Sequence, residues 1–506
     1  MVFRWHLFKK YNLQTMRSTF LILFFFLTIH ISYAQDSKSV IEDTYSLSKM
    51  KGHVTFLASD ELEGRNTPSK GLEMAANYIA SQFNEFGVEE VQGLDGFFQK
   101  VPMQIKQPPK SVELIYNGEI ITSNNILYVS GNTKEISGKW LTVDFENQNI
   151  NKLKFEGKVI ISIIRNKPEL NANQVFNSSR TNKAKALDKG AVGFVEILES
   201  NSSIWSRFSR FYTRSRTQVK EMDTEPSEFL HVMVHDDSGD IVEKFSRTNK
   251  NLVGIKLGDF ENVDFTTSNV VGFVEGSDPE LKEEYIICSA HYDHVGIGRP
   301  DSEGDSIYNG ARDNAIGVMS VLMAAENISL HPLKRSVIFV LFTGEEKGLL
   351  GSKWMANHPP VDLKNIVFCL NSDGGGYNDT TIATIIGARR INMHDVFDKA
   401  CEAVNISAFD GTDETQFLFN SSDNIVFAQK GIPALTFSMG FKDMDSEIMK
   451  YYHQPADETE TIDFKYIEKF SSAFGISLRE IADSKVRFFW NEGDEFYQTG
   501  RDLYEE

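Results

Sequence analysis

Cysteine is scarce in this chain: 506 residues contain only Cys288, Cys369 and Cys401. An odd number of cysteines this small cannot build a disulfide framework. Two of the three stand inside apolar runs, so we interpret all three as small buried side chains. The chain is therefore not expected to be a small disulfide-stabilised module.

Positive charge is scarce too. The chain has 52 Lys and Arg against 71 Asp and Glu, a formal net charge of -19, and no basic block in its body. This composition argues against nucleic acid as a partner. With 41% hydrophobic residues, the chain is long enough to bury a large core and to form two or three domains.

A membrane-spanning apolar run is missing. The most apolar stretch, FLILFFFLTI at 20–29, is shorter than the roughly 20 residues that a spanning helix needs. Basic residues precede it and SYA precedes Gln35, which is the pattern of a signal peptide over residues 1–34. We therefore expect export to the periplasm or the medium without a stable membrane anchor. A signal anchor and a translation start at Met16 are the alternatives.

Apolar strands and amphipathic helices alternate in the catalytic part of the sequence, residues 266–485. Strands are predicted at 284–290, 336–342, 365–371 and 433–439, and helices at 314–330, 346–358, 391–404 and 464–483. Because the strands show no polar alternation, we expect them to be buried on both faces. The predicted fold class is α/β, a mostly parallel central sheet covered by helices.

The rest of the chain divides less clearly. Residues 35–130 contain a helical pattern at 72–88 and are interpreted as the first part of the same domain. Residues 131–265 alternate strand and helix patterns without a cluster of chemically reactive residues, and we interpret them as an inserted, β-rich domain. The acidic tail 486–506 receives no assignment.

Histidines and carboxylates follow the predicted strands or begin the next helix. They are His291, Asp293 and His294, then Asp313, then Glu345 and Glu346, then Asp373, and finally His453 in a late loop. Ligands of open α/β sheets bind beyond the carboxyl ends of the strands, and so many charges at one edge would repel without a cation. Imidazole and carboxylate ligands favour zinc, with manganese or cobalt as substitutes. The set suits two ions that share a carboxylate and lie about 3.5–4 Å apart.

Five motifs in this order, HYDHVG, RDNAIG, TGEEKGLLGS, NSDGGG and YHQPADE, resemble the M28 family of zinc peptidases. The resemblance covers residues of about 45–125 and 266–483, and includes VTFLASDELEGR near the start. The insert 131–265 resembles the protease-associated (PA) domain of many members. The resemblance implies a phosphorylase/hydrolase-like zinc peptidase fold, exopeptidase activity on peptides, and two Zn²⁺ ions per chain.

The resemblance also implies the metal ligands. His291 and Asp373 would bind one zinc, Glu346 and His453 would bind the other, and Asp313 would bridge both. The peptide bond after Asp313 would be cis.

Two further residues receive catalytic roles from the resemblance, and a third, Tyr452, from its place beside His453. Glu345 would be the general base, and Asp293 would orient His291. Tyr452 would donate a hydrogen bond to the oxyanion, with a packing role as the alternative. His294 is expected to be structural or substrate-facing rather than a ligand.

The sequence departs from the family at several positions. Arg312 stands where the family often has an acid, which we expect to affect the substrate end that is recognised. Asn424 replaces the histidine of an SDH motif, which we expect to affect specificity. Gly374–Gly376 are expected to loosen the loop after Asp373.

The favoured function is a secreted aminopeptidase. A carboxypeptidase or dipeptidase is the nearest alternative, with Arg312, Arg389 and Arg390 as possible partners of a substrate carboxylate. A glutaminyl cyclotransferase, which uses one zinc, and a non-enzymatic binding module are the others; the filled ligand set argues against both. The sequence does not indicate the oligomeric state.

Overall fold

The computed structural model describes residues 37–505 apart from 132, 168–169, 200, 221–228, 247–251 and 394. The chain forms two compact units. Unit 1 contains the residues up to Val101 and those from Thr266 onwards, and unit 2 contains Pro102–Phe265. The predicted signal peptide, residues 1–34, lies outside the described residues.

Strands occur in both units. Their bounds are β1 Glu89–Glu90, β2 Phe98–Lys106, β3 Val112–Tyr116, β4 Glu119–Thr122, β5 Ile126–Gly131, β6 Glu135–Thr142, β7 Val159–Ile164, β8 Gly193–Glu199, β9 Arg216–Val219, β10 Leu230–Asp236, β11 Leu252–Leu257, β12 Val263–Val274, β13 Tyr285–His291, β14 Gly296–Ile297, β15 Ile307–Tyr308, β16 Ser336–Phe342, β17 Ile366–Ser372, β18 Ile382–Ile386, β19 Ser407–Phe409 and β20 Ala434–Met439.

The α-helices range from one turn to more than five. Their bounds are α1 Leu47–Leu57, α2 Lys70–Phe86, α3 Ala172–Asp188, α4 Ser202–Tyr212, α5 Asp240–Phe245, α6 Ile316–Leu330, α7 Leu350–Asn357, α8 Val396–Ala403, α9 Asp413–Phe417, α10 Asn424–Ala428, α11 Ser446–Met449, α12 Phe464–Asp483 and α13 Tyr497–Glu505. Short 3₁₀ helices cover Asp60–Arg65, Ile150–Lys152, Leu363–Asn365, Ala388–Arg390, Leu418–Ser421 and Thr459–Thr461, and a π-type turn covers Ala311–Ala315.

A mixed sheet forms the core of unit 1, with the strand order β19-β18-β20-β17-β13-β16-β12. Strand β13 pairs in parallel with both β16 and β17, and β17 pairs in parallel with β20. Every residue of β16 and β17 is buried, as expected for apolar strands covered by helices on both faces. The predicted α/β fold with a mostly parallel central sheet is confirmed.

The apolar patterns located these elements well. The predicted strand 336–342 and helix 464–483 have the observed bounds, and β13 and β17 differ from prediction by one residue at each end. Helix α7 begins at Leu350 instead of 346, because Glu345 and Glu346 belong to a turn in which Leu349 has a positive φ of 61°. The tail that had no assignment ends in helix α13, and its Trp490 is buried.

Unit 2 contains its own sheet, in the order β4-β3-β11-β6-β7-β8-β10-β5. Strands β6, β7, β8 and β10 are mutually parallel, and helices α3, α4 and α5 belong to the same unit. We predicted that the insert begins at 131, but the unit begins at Pro102. The reason is that β3 pairs with β11 and β5 pairs with β10, so residues 112–131 complete the sheet of unit 2.

Among the described residues, none of the helices has both the length and the apolar composition that a membrane crossing requires.

Candidate metal centre

The carboxyl ends of three neighbouring parallel strands carry the predicted site. His291 is the last residue of β13, Asp373 directly follows β17, and Glu345 and Glu346 lie just beyond β16. Asp313 enters from the π-type turn ahead of α6, and its peptide bond to Asn314 is cis, as the resemblance implied. Parallel pairing of the strands thus brings side chains from distant parts of the chain to one edge.

Two clusters of ligand-type side chains share Asp313. We call the first the His291 cluster; it contains His291, Asp313 and Asp373. We call the second the His453 cluster; it contains His294, Asp313, Glu346 and His453. All five predicted metal ligands lie in these clusters, and His294, which we expected to be structural or substrate-facing, joins the second.

The donor atoms converge closely. His291 Nε2 lies 3.3 Å from Asp313 Oδ1 and 3.2 Å from Asp373 Oδ1. On the other side, His453 Nε2 lies 3.1 Å from both Asp313 Oδ2 and Glu346 Oε1. The two oxygens of Asp313 therefore face different clusters, which is the arrangement that a bridging carboxylate requires.

Unpartnered buried atoms indicate that a cation fits. His294 Nδ1 lies 2.9 Å from Glu346 Oε1, yet neither atom makes a hydrogen bond of acceptable geometry. Buried polar atoms without partners are rare in proteins, and a positive ion between them would engage both. The donor set of imidazole nitrogens and carboxylate oxygens, without cysteine, suits zinc.

The carboxylates and imidazoles of the His453 cluster shift each other's pKa values. Burial raises the pKa of Glu346, and so does Asp313, but the imidazoles of His294 and His453 bring it to about 2. Burial alone would lower the pKa of His453, yet the carboxylates of Asp313 and Glu346 beside its ring raise it to about 10. The proton on His453 thus balances carboxylate charge in the protein alone, and a bound cation would replace it.

A cavity of about 460 Å³ opens onto both clusters. Glu345 lines it beside the ligands. Burial raises the pKa of Glu345 well above its usual range, with Asp373 and Asp423 adding to the effect and His291 opposing it. The apolar and aromatic residues that line the cavity include Ile386, Leu418, Phe441, Met444, Ile448 and Tyr452.

Asp293 is fully buried. Its carboxylate lies closer to the backbone of Glu345 than to the ring of His291. Oδ1 of Asp293 accepts the backbone N–H of Glu345 at 3.0 Å, and Oδ2 accepts the hydroxyl of Thr67. His291 Nδ1 lies 3.1 Å from the backbone carbonyl of Asp293 and 3.9 Å from its carboxylate. The resemblance implied that Asp293 orients His291; in the structure the backbone carbonyl of Asp293 is the closer contact of His291 Nδ1.

Tyr452 lies in the cavity wall with its ring stacked on His453, at 4.1 Å between ring centroids. The glycine loop after Asp373 lies against it, because a Cβ on Gly375 would come within 2.2 Å of the Tyr452 ring. We expected these glycines to loosen the loop. Instead, the missing side chain at Gly375 allows a close approach of loop and ring.

Two expected effects on specificity are not supported by the positions of the residues. Arg312 is buried, donates to Asp457 Oδ1 at 3.1 Å and to Thr461 Oγ1 at 2.6 Å, and does not line the cavity. Asn424 is also buried, and its side chain bonds Phe419 and Thr436 instead of facing the cavity. Sequence reasoning could not place the Arg312 side chain, since its partners are more than a hundred residues away along the chain.

The fold and the clusters together define the class: a mixed α/β fold with two groups of candidate metal-binding residues at one edge of its central sheet. Residues 269–475 of this unit match the model of Peptidase family M28.

Two curated proteins are similar to part of the chain. Aminopeptidase YwaD of Bacillus subtilis is 28% identical over 214 residues, which are 41% of this chain and 43% of that protein. A vacuolar membrane protease of Saccharomyces cerevisiae is 35% identical over 112 residues, 22% of this chain and 10% of that protein. The chain thus spans less than half the length of either relative.

Among solved structures, an aminopeptidase from Aneurinibacillus sp. strain AM-1 superposes with a TM-score of 0.50 and 19% identity. The superposition covers 90% of this chain and 97% of that chain. At this identity the likeness shows the fold.

Proposed function

We propose that this protein is an exported aminopeptidase that uses two zinc ions to hydrolyse the N-terminal residue from peptides. The observation that carries the proposal is the position of Asp313, whose two oxygens face separate clusters of ligand-type residues on one cavity wall. The match of residues 269–475 to the model of Peptidase family M28 supports the reaction class, and the name of the Bacillus relative supports the aminopeptidase reading.

The residues of the chain would share the chemistry as follows. His291 and Asp373 would hold one ion, Glu346 and His453 the other, and Asp313 both. Zinc ions bound there would polarise the peptide carbonyl and lower the pKa of the attacking water.

Glu345 carries the proton in the proposed mechanism. It accepts a proton from the attacking water and passes it to the nitrogen of the leaving amine. Tyr452 lies on the same wall and donates a hydrogen bond to the carbonyl oxygen as negative charge develops there. Asp293 holds the backbone of Glu345 in place.

The positions of the basic residues support cleavage at the amino end, because the two arginines considered as partners of a substrate carboxylate lie elsewhere. Arg389 pairs with Asp410, Arg390 pairs with Asp494 and Glu495, and neither lines the cavity. Among the described residues that line the cavity, Lys353 is the one Lys or Arg that could meet a substrate carboxylate. A carboxypeptidase would therefore depend on Lys353.

The apolar cavity wall supports a preference for peptides whose first residue has an apolar side chain. Ile386, Phe441 and Met444 would contact that side chain, and burial of apolar surface there would contribute to binding.

The test uses the protein from Gln35 onwards, loaded with zinc, and a peptide mixture together with its N-acetylated twin. We expect stepwise loss of N-terminal residues from the free peptides alone, fastest for apolar first residues. Lys353→Met should cleave the free peptides at the wild-type rate, and Glu345→Gln should not cleave them. Both results would support an aminopeptidase. Loss from the C-terminus in both mixtures that disappears in Lys353→Met would establish a carboxypeptidase instead.

Export is a separate part of the proposal. It rests on the basic start, the apolar run at 20–29 and the small residues before Gln35. Expression of the full chain in a bacterial host followed by N-terminal sequencing of the exported fraction should give Gln35 as the first residue. Retention of the whole chain in the membrane fraction would support a signal anchor.

The assignment of the inserted unit as PA-like stays a prediction from the sequence resemblance.

A further inference from the structure

A row of hydrogen-bonded side chains runs beneath the His291 cluster and ends on Asp373. It consists of Phe419 (backbone carbonyl), Asn424, Thr436, Asn371, Ser422 and Asp373, with Ser289 as a branch. The Asn, Thr and Ser side chains in this row are buried. We call this row the Asp373 relay; of its interior members, the sequence drew attention to Asn424 for specificity, and to none of them for metal binding.

The far end of the relay fixes its direction. The carbonyl of Phe419 can only accept, so Asn424 presents its NH₂ group there, at 3.1 Å. The oxygen of Asn424 then faces Thr436, and the Thr436 hydroxyl must donate to it, at 3.0 Å. With its proton used, Thr436 can only accept from Asn371.

The same logic carries through to the metal ligand. Asn371 presents its NH₂ group to Thr436 at 3.3 Å and to Ser422 Oγ at 2.8 Å, while its oxygen accepts the Ser289 hydroxyl at 2.8 Å. Ser422 Oγ therefore accepts from Asn371, and its proton is directed at Asp373 Oδ2. Oδ2 of Asp373 is thus occupied as a hydrogen-bond acceptor.

We propose that Ser422 is a positioning residue for the metal centre. Its hydroxyl, oriented by the relay, holds Oδ2 of Asp373 so that Oδ1 faces His291, 3.2 Å from Nε2, where the two residues would share an ion. The inference rests on the proposed metal pair. It predicts that the ion at the His291 cluster depends on Ser422, whereas the ion at the His453 cluster does not.

The expected loss of zinc affinity follows from what hydrogen-bonding partners do for metal ligands. Without the Ser422 hydroxyl, Asp373 is free to rotate, and the ion must order it on binding. Loss of a hydrogen-bonding partner of a ligand typically lowers metal affinity by about 10–100-fold. We expect this loss for one of the two ions.

The experiment measures zinc binding to the metal-free protein by competition with a chromophoric chelator, which separates a tight and a weak step. Ser422→Ala should weaken one step by about 10–100-fold and leave the other unchanged. Ser422→Thr keeps the hydroxyl and should retain most of the affinity. Ser421→Ala removes an exposed neighbouring hydroxyl and should leave both steps unchanged.

A distant variant tests the relay itself. Valine has nearly the same shape as threonine, so Thr436→Val removes little more than the hydroxyl that helps to orient Asn371. That hydroxyl is three hydrogen bonds away from Asp373, through Asn371 and Ser422. We expect a smaller loss at the same step. Equal weakening of both steps in Ser422→Ala would indicate a merely structural role, and no weakening in Ser422→Ala would overturn the inference.

The outcome is separable from that of the proposed function. Wild-type protein that binds two zinc ions but cleaves no peptide would refute the aminopeptidase while the Ser422 comparison still decides the relay. Wild-type protein that binds zinc in one step only, unaffected by Ser422→Ala, would overturn the positioning role whatever the activity.

Discussion

The carboxylate of Asp293 accepts the backbone N–H of Glu345 at 3.0 Å. This bond joins the turn after β13 to the turn after β16 and fixes the start of the segment that carries the proposed general base. We therefore expect Asp293→Ala to lower kcat by about 10–100-fold while the bound zinc stays at two ions, since a misplaced base costs rate without removing a ligand.

Asp293→Asn provides the matched comparison, because its side-chain oxygen can still accept the Glu345 N–H. It should retain more activity than the alanine variant. If both variants lost zinc together with activity, Asp293 would act through His291 and not through Glu345.

The bridging position of Asp313 predicts unequal effects of ligand loss. Asp313→Ala should abolish retention of both zinc ions after dialysis, because each cluster loses a donor. Glu346→Ala removes a donor from one cluster only and should leave about one ion per chain. Elemental analysis of the dialysed proteins measures this, with the exposed Asp443→Ala as control; equal zinc loss in the two ligand variants would contradict a bridge.

The buried ion pair of Arg312 and Asp457 predicts a stability effect. Arg312→Met leaves the Asp457 carboxylate buried without its charged partner, and should lower the free energy of unfolding by about 3–5 kcal/mol. The double variant Arg312→Met with Asp457→Asn should recover part of that loss, since the buried charge is gone. Denaturant unfolding measures both. A shift in cleavage from one peptide end to the other in Arg312→Met would contradict a structural role.

His53 predicts a pH dependence of stability. Its ring is buried, with Nδ1 2.7 Å from the Tyr78 hydroxyl, and burial, assisted by Lys49, lowers its pKa to about 4. Between the ordinary value of about 6.5 and pH 4, the unfolded chain binds a proton that the folded chain does not. The contribution is therefore fully present above pH 6.5 and decreases by about 1.4 kcal/mol per pH unit as the pH falls.

His53→Gln should remove this contribution. The difference in unfolding free energy between wild type and variant should change by about 1.4 kcal/mol per unit between pH 6 and pH 4.5. A difference that is constant over this range would show that His53 titrates alike in both states.

The sequence by itself determined the sheet, its class and the edge at which the chemistry lies. A short apolar run such as 336–342 is typical of a buried strand, and parallel strands bring their carboxyl ends together. For this reason the residues at or just beyond the strand ends, including His291, Glu346 and Asp373, could be assigned to one site from the sequence. The resemblance of the motifs to a known family supplied their separate roles.

Only the tertiary structure decided what surrounds those ligands. Three features could not be read from the sequence. They are the place of His294 in the His453 cluster, the pairing of Arg312 with Asp457, and the relay from Asn424 to Ser422. Each depends on contacts between segments that are distant in the chain, and hydrogen-bonding side chains have no sequence periodicity that indicates their partner. The start of unit 2 at Pro102 has the same cause, since β3 and β5 join strands that come more than 90 residues later.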